Sequence, residues 1–113
     1  EYPDKVIYNG FDEMFLAGIS MGADGGIGST YNFMAEKFIK IQSLFADGKI
    51  SEAQKIQADV NKIVAALVKV GVMQGEKAVL CEMGLDFGIA RAPFKDCSKE
   101  EKSALIKTVM PLL

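Results

Sequence analysis

The chain has 113 residues, half of them apolar and a quarter charged, which is ordinary globular composition for a single-domain length. Its net charge of −2 leaves no basic field for a nucleic-acid backbone. No apolar run approaches the ~20 residues that a membrane helix requires. Histidine is absent, so Ser-His-Asp and Cys-His machinery cannot be built from these residues and the commonest transition-metal ligand is missing.

Residues 5–9, Lys-Val-Ile-Tyr-Asn, are a short run of β-formers bounded by Pro3-Asp4 and Gly10, and they predict a buried strand. Asp12 and Glu13 then open a helix, because acids favour the positive end of the helix dipole. Met14, Phe15, Leu16, Ala17, Ile19 and Met21 fill that helix, and Gly22 is a fitting stop. Residues 25–29 form a second, very short strand. One helix between two strands is the βαβ pattern of a parallel sheet.

A longer amphipathic helix is predicted over 31–45, with Phe33, Met34, Phe38, Ile41, Leu44 and Phe45 as its apolar stripe. Asp47-Gly48-Lys49 is a turn. Ser51 with Gln54 forms a capping box for a helix over 52–70, whose stripe is Ile56, Val60, Ile63, Val64, Leu67 and Val68 and which Gly71 ends. Another helix follows over 74–83, ended by Gly84. Residues 85–95, with Gly88 and Pro93, read as an ordered crossing loop. Ser98 with Glu101 forms a second capping box, opening a final helix over 99–110.

The order β-α-β-α and then three helices is incomplete as an α/β fold. Two parallel strands cannot cover both faces of a sheet. The chain therefore reads as the C-terminal part of a larger α/β protein, with 1–46 as its last two βα units and 47–113 as a helical extension. Cys81 and Cys97, without Cys-x-x-Cys spacing, read as reduced thiols of a cytoplasmic protein.

Chemistry-bearing residues gather at the two strand ends. Residues 22–32, Gly-Ala-Asp-Gly-Gly-Ile-Gly-Ser-Thr-Tyr-Asn, combine glycines with hydroxyls where a strand turns into a helix. Free backbone N–H groups point outward at such a turn. The turn lacks the lysine of a phosphate-binding loop and the third glycine of a dinucleotide fingerprint, which argues against a nucleotide binder. Asp12 and Glu13 sit at the other strand end, where paired carboxylates can accept several hydrogen bonds from a polyhydroxylated ligand. The plainer reading of the acids is helix N-terminal charge, and that of the glycines is tight packing. On those plainer readings the chain is a helical interaction module. Tyr8, Tyr31, Asn32 and Arg91 carry weaker signals. The lysines at 55, 62, 69, 99, 102 and 107 read as a solvated face.

Tyr8-Asn9-Gly10-Phe11-Asp12-Glu13 together with residues 22–32 resembles the bacterial N-acetylneuraminate lyases, the sialic acid aldolases among the pyruvate-dependent class I aldolases. Gly71-Val72, Gly75, Lys77 and Arg91-Ala92-Pro93-Phe94 extend the resemblance over essentially the whole chain. It implies a (β/α)₈ TIM barrel with three extra C-terminal helices, this chain supplying strands seven and eight, their helices and the extension. Sites in such barrels lie at the C-terminal ends of the strands.

The implied reaction is reversible cleavage of N-acetylneuraminate to pyruvate and N-acetylmannosamine through a Schiff base. The implied Schiff-base lysine, a nearby tyrosine and the carboxylate-binding loop belong to earlier strands, so no catalytic residue is expected in this chain. The resemblance assigns substrate binding to Gly10, Asp12, Glu13, Gly28 and Ser29, with no metal and no cofactor. It further implies an N-terminal segment of the same enzyme as partner, a homotetramer, and no membrane or nucleic-acid partner. Another 2-keto-3-deoxy sugar acid is the alternative substrate.

Overall fold

A computed structural model describes residues 4–113. The chain divides into two compact units, the described residues of Glu1–Asn61 and those of Lys62–Leu113. The described residues are mostly helical, with two short strands.

In the first unit, strand β1 (Tyr8–Asn9) pairs in parallel with β2 (Gly25–Gly26), Tyr8 opposite Gly25 and Asn9 opposite Gly26. The pairing is lengthened beyond the ladder by Asp24. Its N–H donates to the Ile7 carbonyl at 2.8 Å, and its Oδ2 accepts from the Ile7 N–H at 2.7 Å. The Ile27 N–H donates to the Asn9 carbonyl at 3.0 Å on the other side. Between the strands lie a 3-10 turn (Asp12–Met14) and helix α1 (Phe15–Ser20). Gly22 follows at φ +96, a left-handed value that suits glycine and ends the helix. Asn9 packs its side chain onto Gly18 of α1, where an added Cβ would lie 2.8 Å from the Asn9 Cβ.

Both strands are shorter than the runs 5–9 and 25–29 predicted, and the first is not buried. Val6, Ile7 and Tyr8 are 64, 58 and 60 % exposed. The physical reason is the one that makes two parallel strands insufficient: one pair has no neighbours to cover its faces.

Helix α2 (Tyr31–Ala46) buries Phe33, Met34, Phe38, Ile41 and Leu44, the predicted stripe, while Phe45 is half-buried. It breaks locally at Met34 (φ −139, ψ 30), so Tyr31–Phe33 make a first turn of their own. An aromatic cluster joins α1 to α2. Phe15 meets Phe38 edge-to-face at 5.3 Å between ring centres, and Tyr31 lies against Phe38 at 4.0 Å. Such pairs add about 0.5–1.5 kcal/mol beyond the area they bury. Gly26 admits the cluster, because a Cβ there would fall 2.8 Å from the Phe15 ring and against the Tyr31 hydroxyl. Burial, and secondarily the negative charge of Asp12, push the Tyr31 phenol up to about 12.

Helix α3 (Ile50–Val70) runs across the division between the units. It begins before Ser51, so Ser51 lies inside the first turn and the predicted Ser51–Gln54 capping box is not its N-cap. The turn at 47–49 feeds it directly, with the N–H groups of Glu52 and Ala53 both donating to the Lys49 carbonyl. Gln57 on α3 is buried and grips the 3-10 turn and α1. Its Nε2 donates to the Asp12 carbonyl at 3.0 Å, and its Oε1 accepts from the Leu16 N–H at 2.9 Å.

In the second unit, Ile63 and Leu67 from α3 are buried, as are Ala78, Val79 and Leu80 of α4 (Val72–Glu82) and Leu105 and Val109 of α5 (Lys99–Val109). Val68, placed in the stripe by its spacing, is 62 % exposed instead, on the outer side of the helix. Gly71 (φ +94) separates α3 from α4. The Ser98–Glu101 capping box forms as expected, with Ser98 N–H to Glu101 Oε2 at 2.8 Å and Glu101 N–H to Ser98 Oγ at 3.2 Å. A 3-10 turn (Met110–Leu112) follows α5. The segment before α5 has no regular element over 85–95, carries a cis Ala92–Pro93 bond, and is tied down where Lys77 Nζ donates to the Phe87 carbonyl at 2.8 Å.

Two outcomes are expected of this packing. Tyr31 should release its proton near pH 12, visible as a late phase of phenolate absorbance that Tyr31→Phe removes. A raised phenol pKa means that the folded state keeps the proton longer. Its stabilising share is therefore complete below about pH 10, the ordinary tyrosine value, and is lost as pH rises through about 12. Gln57→Ala should strip protection from the Leu16 amide in hydrogen exchange, since that N–H loses its acceptor.

Candidate functional site

The two strand ends are held together by side chains. Asp12 stands three residues past β1 and Thr30 four residues past β2. Both are buried, at 8 % and 2 % exposure, and the Thr30 hydroxyl donates to Asp12 Oδ2 at 2.5 Å. Thr30 occupies the N-cap position of α2, yet its side chain makes no capping bond. Its hydroxyl goes instead to a residue 18 positions away.

Gly28 closes the arrangement. A Cβ at Gly28 would collide with the Asp12 carboxylate, Oδ1 being the nearest atom and Oδ2 lying at 2.8 Å. Glycine stands at this position because Asp12 occupies the space a side chain would need. Asp12 Oδ1 and the Tyr31 hydroxyl are buried without a hydrogen-bond partner among the described residues. The Asp12 charge contributes to raising the Tyr31 phenol, which marks the two groups as electrostatic neighbours.

The remaining predicted site residues are placed differently. Gly10 is exposed just past β1, and no atom lies within 4 Å of where its Cβ would stand. Ser29 is exposed at the turn into α2, and its carbonyl accepts from the N–H and the Nδ2 of Asn32, at 3.2 and 2.7 Å. Glu13 is half-buried and lines a cavity of about 500 Å³ with Leu16, Ala17, Ser20, Phe45 and Gln54, and Asp12 is not among its walls. The fold thus joins Asp12 to Gly28 and to Thr30, which flanks Ser29, while Glu13 belongs to a neighbouring hollow. Gln57 was not marked by the sequence, and Thr30 was marked only as one of the hydroxyls of the 22–32 turn, not as a site residue. A threonine directly before a helix carries a signal, but it reads as a cap; Gln57 carries none, since its value depends on which backbone α3 meets.

In the second unit Cys81 and Cys97 are free thiols. Both line a cavity of about 280 Å³ together with Lys77, Asp86, Asp96 and Lys102. Burial first, and the Asp96 and Glu101 carboxylates next, push the Cys97 thiol up, which disfavours the thiolate. Among the described residues no cluster of His, Cys, Asp or Glu is suited to hold a metal ion, and no helix is long and apolar enough to cross a membrane.

The model of the dihydrodipicolinate synthetase family matches residues 1–111. An N-acetylneuraminate lyase of Rhizobium meliloti (strain 1021) is 48 % identical over 111 residues, covering 98 % of this chain and 37 % of that protein. One from Escherichia coli (strain K12 / DH10B) is 46 % identical over 95 residues, covering 83 % and 32 %. The chain thus spans about a third of the length of these relatives.

Among solved structures, CdNal from Clostridium difficile in complex with mannosamine superposes with a TM-score of 0.93 at 35 % identity, over 99 % of this chain and 39 % of that one. The N-acetylneuraminate lyase of Fusobacterium nucleatum complexed with pyruvate gives 0.92 at 37 % identity, over 99 % and 38 %. The chain belongs to the dihydrodipicolinate synthetase family, within which it is similar to the N-acetylneuraminate lyases.

Proposed function

We propose that this chain is the sugar-gripping part of a Schiff-base aldolase that cleaves N-acetylneuraminate reversibly to pyruvate and N-acetylmannosamine. The observation that carries the reading is the 48 % identity to the Rhizobium lyase over 111 residues, which spans both strand ends and the helices behind them. In this reading β1 and β2 are strands seven and eight of a (β/α)₈ barrel, and α3, α4 and α5 are its C-terminal extension. The barrel's other strands lie in an N-terminal segment of the same enzyme and would cover Val6, Ile7 and Tyr8, which are exposed in this chain.

The chemistry divides between the two segments. A lysine of the other segment attacks the keto carbon, expels water and forms an iminium, which draws in the electron pair of the breaking carbon–carbon bond as the hydroxyl on the far carbon gives up its proton to a base and becomes the aldehyde of the departing N-acetylmannosamine. The resulting enamine takes a proton, and hydrolysis releases pyruvate. This chain's part is binding and orientation. Its paired acids cannot face the substrate's carboxylate, because like charges at contact range repel. They suit the neutral polyol end, whose hydroxyls donate to carboxylate and carbonyl oxygens. Gly10, Asp12, Glu13, Gly28 and Ser29 form this wall. Its support is that the Asp12–Gly28 contact and the Asp12–Thr30 bond bring the two strand ends together. No cofactor takes part, and the complete enzyme acts in the cytoplasm as a homotetramer.

Two outcomes test this reading. The 113-residue chain purified alone is expected to show no lyase turnover and to unfold without a sharp transition, whereas the complete polypeptide cleaves N-acetylneuraminate. Turnover by the chain alone would contradict the division of labour. In the complete polypeptide, Glu13→Gln combined with Ser29→Ala is expected to raise the KM for the sugar acid about tenfold, the equivalent of one or two lost hydrogen bonds. Borohydride trapping of pyruvate should persist in that variant. Equal loss of trapping would move these residues to the Schiff-base end or to the fold.

A further inference from the structure

The sequence predicts one helix from Asp12 onward, and the structure divides it. Asp12–Met14 form a 3-10 turn, and α1 starts only at Phe15. Met14 stands at the break with φ −112 and ψ 11, outside helical values. In an unbroken α-helix the Leu16 N–H would donate to the Asp12 carbonyl, four residues back. Here both groups bond the side-chain amide of Gln57. Its Oε1 accepts from the Leu16 N–H at 2.9 Å, and its Nε2 donates to the Asp12 carbonyl at 3.0 Å. A side chain inserted into the helical ladder is one of the few causes of a sharp break in it. The Asp12 carbonyl also accepts from the Phe15 N–H, the bond of a 3-10 turn.

The residue at position 57 is unusual for its place. Gln57 lies on the buried face of α3 between Ala53 and Val60, both fully enclosed, where an apolar side chain is the ordinary occupant. A buried amide is costly unless its ends are paired, and here its oxygen and its nitrogen each have a backbone partner. A continuous helix over residues 12–20 would pair the same two backbone groups without help from α3. What the amide determines is therefore the shape of the chain just past β1. With the bridge in place, the turn is a fixed post for both acids, Asp12 and Glu13.

We infer that Gln57 is a positioning residue for the sugar end of the pocket: by bridging the Asp12 carbonyl and the Leu16 N–H it holds residues 12–14 in their 3-10 form and so sets where Asp12 and Glu13 stand against the polyol. The inference rests on the aldolase reading above and adds to it a residue outside the two strand ends. Gln57 touches no substrate; it acts through the backbone that carries the acids. Helix α3 thereby takes part in substrate affinity as well as in packing.

The test is made on the complete polypeptide in the condensation direction, with pyruvate and N-acetylmannosamine varied separately. Gln57→Met keeps the length of the side chain and loses both bonds. Gln57→Glu keeps the acceptor for Leu16 and sets a carboxylate against the Asp12 carbonyl, so it breaks the bridge at one end. Each is expected to raise the KM for N-acetylmannosamine about tenfold, the equivalent of one lost hydrogen bond to the sugar. The KM for pyruvate and borohydride trapping of pyruvate should stay near the parent values. Glu13→Gln combined with Gln57→Met is expected to lose less than the product of the two single losses, because Gln57 acts through the placement of that acid. An unchanged sugar KM in either variant would overturn the inference, and so would a full product in the double variant, which would put the effect of Gln57 elsewhere. Loss of pyruvate trapping in parallel with sugar affinity, or failure of both variants to fold, would make Gln57 part of the general fold and overturn it too. A parent enzyme that neither traps pyruvate nor turns over N-acetylmannosamine would overturn the aldolase reading first, and the inference with it.

Discussion

A single buried hydrogen bond, Thr30 Oγ1 to Asp12 Oδ2, joins the two halves of the βαβ unit where the ladder cannot. The ladder is two residues long on each side. Past Asn9 and Gly26 the strands leave the pairing, and side chains take over. Burying a carboxylate costs several kcal/mol unless a donor meets it. Thr30 supplies the donor, and Gly28 supplies the space by lacking a side chain. Three residues from two separate segments thus depend on one another. Enlarging Gly28, shortening Thr30 or neutralising Asp12 each undoes the same arrangement.

The surroundings are built to keep that post still. Gln57 reaches from α3 to bond both the Asp12 carbonyl and the Leu16 N–H, so α3 clamps the backbone on which Asp12 stands. Behind it, Phe15, Tyr31 and Phe38 interlock at 4.0 to 6.4 Å and fix the angle at which α2 leaves the turn. Tyr31 follows Thr30 directly, so the core packing of α2 is coupled to the orientation of the turn. On the other strand, Asp24 bonds the backbone of Ile7 through both its amide and its carboxylate. Outward, the strand ends present Gly10, the edge of Glu13 and Ser29 beside the exposed Phe11 and Ile27.

The order of elements was legible because it rests on local signals. Gly22 and Gly71 stop helices at left-handed φ values, and the Ser98–Glu101 box forms as written. The apolar stripe of α2 is buried at nearly every position the spacing named. Failures came where a local signal met a longer-range constraint. The Ser51–Gln54 pattern is present, but the turn at Gly48 starts α3 at Ile50, two residues too early for Ser51 to cap it. Val68 fits the stripe by number and misses it by rotation, because the buried side of the long helix is set by Ile63 and Leu67. The strand at 5–9 was legible as a strand and not as an exposed one, since the single parallel pair has no neighbouring strand among the described residues to cover it. The gathering of Asp12, Gly28 and Ser29 at two strand ends was legible. That Asp12 turns inward to Thr30 was not, because burial of a carboxylate is decided by a partner 18 residues away.

The central claim is that the ends of β1 and β2, joined through Asp12, Gly28 and Thr30, together form the sugar-binding wall of the complete enzyme. The most direct measurement is a crystal structure of the complete polypeptide with the sugar acid trapped as its borohydride-reduced adduct. Polyol hydroxyls are expected within hydrogen-bond distance of groups on both strand ends, among Gly10, Asp12, Glu13, Gly28 and Ser29. A polyol chain that contacts neither strand end would contradict the claim.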